Sequence, residues 1–216
     1  MPETTPPPSA LLLIAPGCPH CPQVLEALTR LVKAGSIGSL EVVNVAALPQ
    51  RAAALGVRGV PWTRIGPFVL EGSLTATELG RWASAVGTEE GMAQYFERLL
   101  GAGRLAEVEA LVREDPQRLG ALAHLLAESE TSIHVRVGMG AVLEGLHGTG
   151  LAAGLVQRLG PLTRDAHSRV RSDACHYLAL AGSRDALPYL EAALEDPEPE
   201  VREIARESIE ALEDLT

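Results

Sequence analysis

"APGCPHCPQVLEAL", residues 15–28, holds two of the chain's three cysteines. Cys18 and Cys21 are separated by Pro19 and His20. A Cys-x-x-Cys serves as half of a zinc site, as a redox dithiol, or as nothing at all. Its surroundings narrow the choice. The run "ALLLI" (10–14) just before it reads as a buried strand. Residues 19–34 read as a helix, with Val24, Leu25, Leu28, Leu31 and Val32 at helical spacing and Gly35 as the stop. The pair therefore falls where a strand turns into a helix, with Cys18 opening that helix. First-turn N–H groups have no intrahelical partners and carry partial positive charge. A thiolate there is stabilised, and the Cys18 pKa is expected below the ~8.5 of a free thiol. Cys21 lies one turn further in, within disulfide reach and less exposed. Cys18 is thus expected to attack and Cys21 to resolve. Pro19 costs nothing in a first turn, where its missing N–H would be unpaired anyway. A protonated His20 near the Cys18 sulfur would favour the thiolate further.

Downstream, "LEVVNV" (40–45) reads as a second strand and residues 48–56 as a short helix. "WTRI" (62–65) and "FVL" (68–70) form an antiparallel pair around a Gly-Pro turn. Residues 75–87 read as a helix with a Thr cap. The order βαβαββα predicts a mixed four-stranded sheet with helices on its faces. After Gly87 strand signals stop. Helices are expected near 91–101, 104–114, 117–128, 132–146, 151–164, 167–181, 184–195 and 199–213. "ETSIHVR" (130–136), "DAHSRVR" (165–171) and "DPEPEVR" (196–202) repeat one pattern, an acid five residues before Val-Arg. A spacing of ~30–45 residues with two helices per unit is the signature of an α-solenoid, whose units stack to make one core. Asp173 breaks the apolar stripe of its helix. The expected division is a disordered Pro-rich lead at 1–9, an α/β domain at 10–88 and an all-α repeat domain at 89–216.

Composition excludes several classes. Hydrophobic residues make up 46% and charged residues 21%, the balance of a folded chain. Aromatics are only 3%, so the core must come from Leu, Ala and Val. No apolar run approaches the ~18 residues of a membrane span. The lead has no basic region, and Leu11 to Ile14 is shorter than the ~7–15 residues of a signal-peptide core. The expected location is the cytoplasm, where paired cysteines do redox or metal chemistry more often than structural crosslinking. Residues 1–88 carry net charge +1 and residues 89–216 carry −11. The acidic half argues against nucleic acid and anionic membrane as partners.

A second motif, "GVRGVPW" (56–62), followed by a hairpin and "LEGSLTATEL" (70–79), resembles the thioredoxin family over residues 10–87. With no strand and helix before residue 10, the domain is of the minimal, glutaredoxin size. The resemblance implies that Pro61 follows a cis peptide and faces the dithiol. It implies that the Val60 backbone contacts substrate, and that Pro19 lines the same surface. Gly72 matches the family's glycine after the last strand. Pro16-Gly17 stands where thioredoxin has a Trp, and the preceding strand lacks the family's buried Asp. Pro-His is also the dipeptide of a bacterial periplasmic disulfide oxidase, so either direction of exchange is implied.

The second half resembles HEAT repeats of the short, PBS-lyase-type kind. "ALPYLEAALEDPEPEVREIARESIEALED" carries the likeness best, "RLGPLTRDAHSRVRSDACHYLALAG" next, and residues 91–128 follow by continuity. The resemblance places Glu130, Asp165 and Asp196 in reach of Arg136, Arg171 and Arg202 across the stack, as structural links.

A metal site at Cys18/Cys21 would need two more ligands, and there is no second Cys-x-x-Cys; no metal and no cofactor are expected. Cys175 reads as off the core stripe of its helix, a structural residue or an accessible thiol. Trp62 and Trp82 read as packing residues, with Trp62 near the substrate groove. The function expected is thiol–disulfide exchange on protein thiols and disulfides, with the repeats recruiting a protein partner. The rival is a non-catalytic scaffold switched by the redox state of Cys18 and Cys21.

Overall fold

The computed structural model describes residues 6–214. The chain divides into two compact units, Met1–Gly91 and Met92–Thr216. Part of the lead expected over 1–9 lies outside the described residues. Where it is described, it is more ordered than expected. The Gly38 N–H donates to Pro8 O at 2.8 Å, and Ser9 already pairs with Ser39.

The first unit runs β1 (Ser9–Ile14), α1 (Cys21–Lys33), β2 (Ser39–Asn44), α2 (Pro49–Ala54), β3 (Trp62–Ile65), β4 (Phe68–Glu71) and α3 (Ala76–Ala85). The sheet order is β2-β1-β3-β4, with β1 parallel to β2 and the other two pairings antiparallel. Central β1 is "SALLLI", almost without polar residues, because both of its faces are covered. Successive side chains on a strand point to opposite faces. One face gathers Leu11, Leu13, Val43 and Trp62, flanked by Val57 and Val60. On the other, Leu12 stands opposite Thr63, Thr63 opposite Leu70, and Ile65 opposite Phe68. Phe68 meets the Trp82 ring of α3 at 5.0 Å, and α1 packs on α3, so this second face lies under α1 and α3. Thr75 caps α3 in a reciprocal box with Glu78, an arrangement worth about 1 kcal/mol.

The described residues of the second unit form helices joined by turns, with no strand. Its helices are α4 (Glu89–Gly101, which begins before the division), α5 (Leu105–Glu114), α6 (Gly120–Ala127), α7 (Ile133–Gly145), α8 (Val156–Leu159), α9 (Ser168–Leu180), α10 (Leu187–Ala193) and α11 (Pro199–Glu213). The helix expected over 151–164 is broken: 3₁₀ turns at Ala152–Leu155 and Gly160–Arg164 flank the four residues of α8. Pro161 supplies no N–H to continue the ladder. Gly160 is required by packing, since a Cβ there would stand 2.5 Å from the Tyr189 ring. The start of the 117–128 helix is likewise a 3₁₀ turn, Pro116–Leu119.

The expected acid–arginine ladder needs correction. In each repeat the Val-Arg arginine turns back to carbonyls ahead of its own helix: Arg136 to Thr131 and Glu128, Arg171 to Asp165 and Ala166, Arg202 to Asp196 and Pro197. Asp165 thus serves Arg171 through its backbone. Its carboxylate accepts instead from the His167 N–H, which lowers its pKa. The carboxylate that crosses between repeats is Asp196, which grips Arg171 in a fork of 2.7 and 2.9 Å. That pair is nearly dry, with side chains 11% and 7% exposed. It holds the Asp196 carboxyl below its ordinary pKa and raises that of Arg171. Arg136 takes its carboxylate from Asp173 on α9 rather than from Glu130. The acid that looked like a flaw in the α9 stripe is therefore a link of the stack.

Candidate redox site

The site begins with a turn. Ala15, Pro16, Gly17 and Cys18 close it through a Cys18 N–H to Ala15 O bond of 3.3 Å. Gly17 has φ +76°. Pro at the second position and a positive φ at the third are what a type II turn demands. The helix that follows starts at Cys21, later than expected. His20 is its N-cap residue and Pro22 lies in its first turn. Cys18 precedes a proline, which disfavours helical backbone. The Cys18 sulfur nevertheless reaches the helix N-terminus, for the Cys21 N–H donates to Cys18 Sγ at 3.1 Å. The stabilising amide comes from the helix that follows Cys18, not from a helix that Cys18 itself opens.

Cys18 and Cys21 are joined as a disulfide, with Cα atoms 5.5 Å apart. Cys18 is partly exposed while Cys21 is 4% exposed. The facing wall is the Val60–Pro61 segment, whose peptide bond is cis. Val60 O lies 3.8 Å from Cys18 Sγ. Pro61 is buried, and its carbonyl accepts from the Gly72 N–H at 3.0 Å, which ties the wall to the end of β4. Pro19 and His20 are exposed, and the His20 side chain caps nothing. The structure thus brings Cys18, Cys21, Val60 and Pro61 together, with Pro19 and His20 on the rim. Trp62 is buried in the Leu11, Leu13 and Val43 cluster rather than lining a groove.

Cys175 differs in every respect. It is fully buried, and burial pushes its thiol up to about 12. The expectation that it lies off the core stripe fails because α9 packs on α6, α7, α10 and α11, so one stripe does not describe its buried surface. An accessible thiol is therefore ruled out. Among the described residues no group of three or more His, Cys, Asp or Glu is placed to hold a metal ion, and no helix is long and apolar enough to cross a membrane.

One buried polar side chain of the sheet was missed from the sequence. Thr63 is 0% exposed and its Oγ1 has no hydrogen-bond partner among the described residues. In "WTRI" it reads as an ordinary strand-former; only its pairing with Leu12 and Leu70 shows that the hydroxyl is enclosed.

Comparison with protein families places the two halves separately. The thioredoxin domain model matches residues 10–84, and the HEAT repeats model matches residues 122–210. No curated protein matches the chain. The chain joins a thioredoxin-like domain, with a minimal four-stranded mixed sheet, to an all-α stretch of HEAT repeats.

Proposed function

We propose that the protein is a thiol–disulfide oxidoreductase acting on protein thiols and disulfides through Cys18 and Cys21. The observation that carries this is the asymmetry of the pair: a partly exposed Cys18, its sulfur held by a helix-terminal N–H, bonded to a buried Cys21. In the reducing direction, the Cys18 thiolate attacks one sulfur of a substrate disulfide. That S–S bond breaks, one substrate sulfur leaves as a thiolate and takes up a proton, and a mixed disulfide with Cys18 remains. Cys21 loses its proton and attacks Cys18 Sγ. The Cys18–Cys21 bond forms and the second substrate thiolate departs. Two electrons pass from the dithiol to the substrate, and the reverse sequence oxidises a substrate dithiol.

The remaining residues have supporting roles. The Cys21 N–H and the α1 terminus stabilise the Cys18 thiolate. The Val60 carbonyl, beside Cys18 Sγ, receives a substrate backbone N–H, and Pro61 holds that wall in place. Pro19 forms the rim of the contact surface. His20 adds positive charge near Cys18 when protonated, so His20→Ala is expected to raise the Cys18 pKa and lower the reduction potential. Titration of thiolate absorbance tests this, and an unchanged curve contradicts it.

The domain doing chemistry is taken as 10–88, and the repeat domain at 89–216 recruits the protein partner. Ile133 and Val137, one turn apart on α7 and 59% and 66% exposed, offer apolar contact there. The reaction is placed in the cytoplasm, where an unpaired buried cysteine such as Cys175 is usual. The rival, a redox-switched scaffold, keeps the dithiol but forms no covalent substrate intermediate. Cys21→Ser separates the two, because it leaves Cys18 able to form a mixed disulfide and unable to release it. Trapped, reductant-sensitive adducts support exchange. Redox-dependent binding without adducts supports the scaffold.

A further inference from the structure

We propose that the outward row of α11 is a self-association surface. A second copy of the chain packs on it antiparallel, with Arg202 against Asp214 and Arg206 against Glu210. The proposal does not depend on the chemistry of Cys18 and Cys21. Its starting point is the unfinished end of the arginine series. Arg171 places Nη1 on the Asp165 and Ala166 carbonyls and grips the Asp196 carboxylate with Nε and Nη2. Arg202 places Nη1 on the Asp196 and Pro197 carbonyls in the same way. Its Nε and Nη2 form the edge with which Arg171 takes a carboxylate. That edge has no partner among the described residues.

The carboxylate comes from the repeat that follows, and no helix follows α11 among the described residues. The burial pattern says the same. One turn beyond the arginine of α9 is Cys175, which is fully buried. Its counterpart in α11 is Arg206, which is exposed. The kind of interface that closes the earlier repeats is therefore left open at α11.

The charges on this open face say what covers it. Arg202, Arg206, Glu210 and Asp214 stand four residues apart, in one row along the helix. Arg202 is half-buried and the other three are exposed. Alone, the row works against its own helix. Two cations one turn apart repel, as do two anions. The acids fall in and just after the last turn, where the helix dipole disfavours them, and no basic residue shares that turn. Arg206 and Glu210 make no ion pair among the described residues. An antiparallel second copy reverses each fault, because its acids lie over the arginines and its arginines over the acids. Both pairings are centred at the level of Ser208, so one two-fold axis serves them. The contact is isologous: what Arg202 receives from the other copy, it gives back. Exposed ion pairs contribute little each. Glu203, Glu207 and the net charge of −10 also oppose approach. The dimer is thus weak and reversible, with a Kd on the order of 100 μM.

The test is sedimentation velocity of the full-length protein from about 10 to about 500 μM, with and without reductant. The wild-type sedimentation coefficient is expected to climb toward the dimer value across that range. Arg206→Glu sets like charge against Glu210, and Glu210→Arg sets like charge against Arg206. Both positions are exposed, so the fold is kept. Each variant alone is expected to stay monomeric. Mixed in equal amounts the two are complementary again, and the coefficient is expected to climb. A wild type that stays monomeric overturns the proposal and leaves α11 to a different protein. A variant that associates as wild type does, or a mixture that stays monomeric, overturns it too. So does association that reductant abolishes, which would be a disulfide through Cys18.

Discussion

The two halves of the chain treat buried polar groups in opposite ways. Among the described residues the HEAT-repeat half encloses Thr131, Arg136, Thr163, Arg171, Ser172 and Ser208, and the first four are bonded within the stack. Among the described residues the thioredoxin-like half encloses one polar side chain, Thr63, whose hydroxyl has no partner there. An unpaired buried hydroxyl costs stability, whereas bonded buried groups tie neighbouring segments together. The difference separates a half held by an almost wholly apolar core from one whose repeats are pinned by internal polar links.

The cysteines sharpen the same contrast and predict the largest effect. Burial raises the Cys175 thiol to about 12, leaving on the order of one molecule in 10⁴ as thiolate at pH 8. In the reduced, folded protein, Cys18 is expected to be alkylated at least 10³-fold faster than Cys175. Mass mapping of the labelled peptides checks this, and comparable rates would erase the distinction. Next, Asp196→Ala removes both charge-assisted bonds of a nearly buried Arg171, leaving it only the Asp165 and Ala166 carbonyls, and is expected to cost about 3 kcal/mol. Denaturant unfolding reads the loss, while the dithiol potential should not move. Asp173→Asn removes only the charge opposite Arg136 and keeps an acceptor oxygen there beside the Thr131 and Glu128 carbonyls, and should cost less, about 2 kcal/mol.

The Asp196 link also sets a pH dependence. The Arg171 guanidinium holds the Asp196 carboxyl below its ordinary value of 3.8, and the His167 N–H does the same for Asp165. Both carboxyls bind protons more weakly folded than unfolded. Their stabilisation is therefore complete above the ordinary carboxylate range and is lost as pH falls through the depressed values. Asp196→Asn should flatten that acid limb in unfolding curves taken between pH 5 and 2. The smallest effect is expected at Thr75→Ala, which removes the α3 cap for about 1 kcal/mol and leaves the repeats unaffected.

Much of this was legible in the sequence because it depends on short-range pattern. The strand-to-helix dithiol, the Val60–Pro61 wall and the Thr75 cap are local signals, and the Val-Arg repeat shows at a fixed interval. What escaped depends on which residues meet in space. Chain spacing offered Glu130 to Arg136, but Asp173 reaches it from the next repeat. Cys175 looked off the stripe because an α9 packed on several sides has no single stripe. The 151–164 helix was broken by Pro161 and by the approach of Tyr189 to Gly160, a contact that hydrophobic spacing does not record. Thr63 had no signal at all beyond its place in a buried strand.

The central claim, that Cys18 and Cys21 exchange disulfides with protein substrates, is tested most directly by turnover of a protein disulfide with dithiothreitol as electron donor, wild type against Cys18→Ser. Turnover above the uncatalysed rate in wild type, and none in the variant, is the predicted result. Equal rates in the two would contradict it.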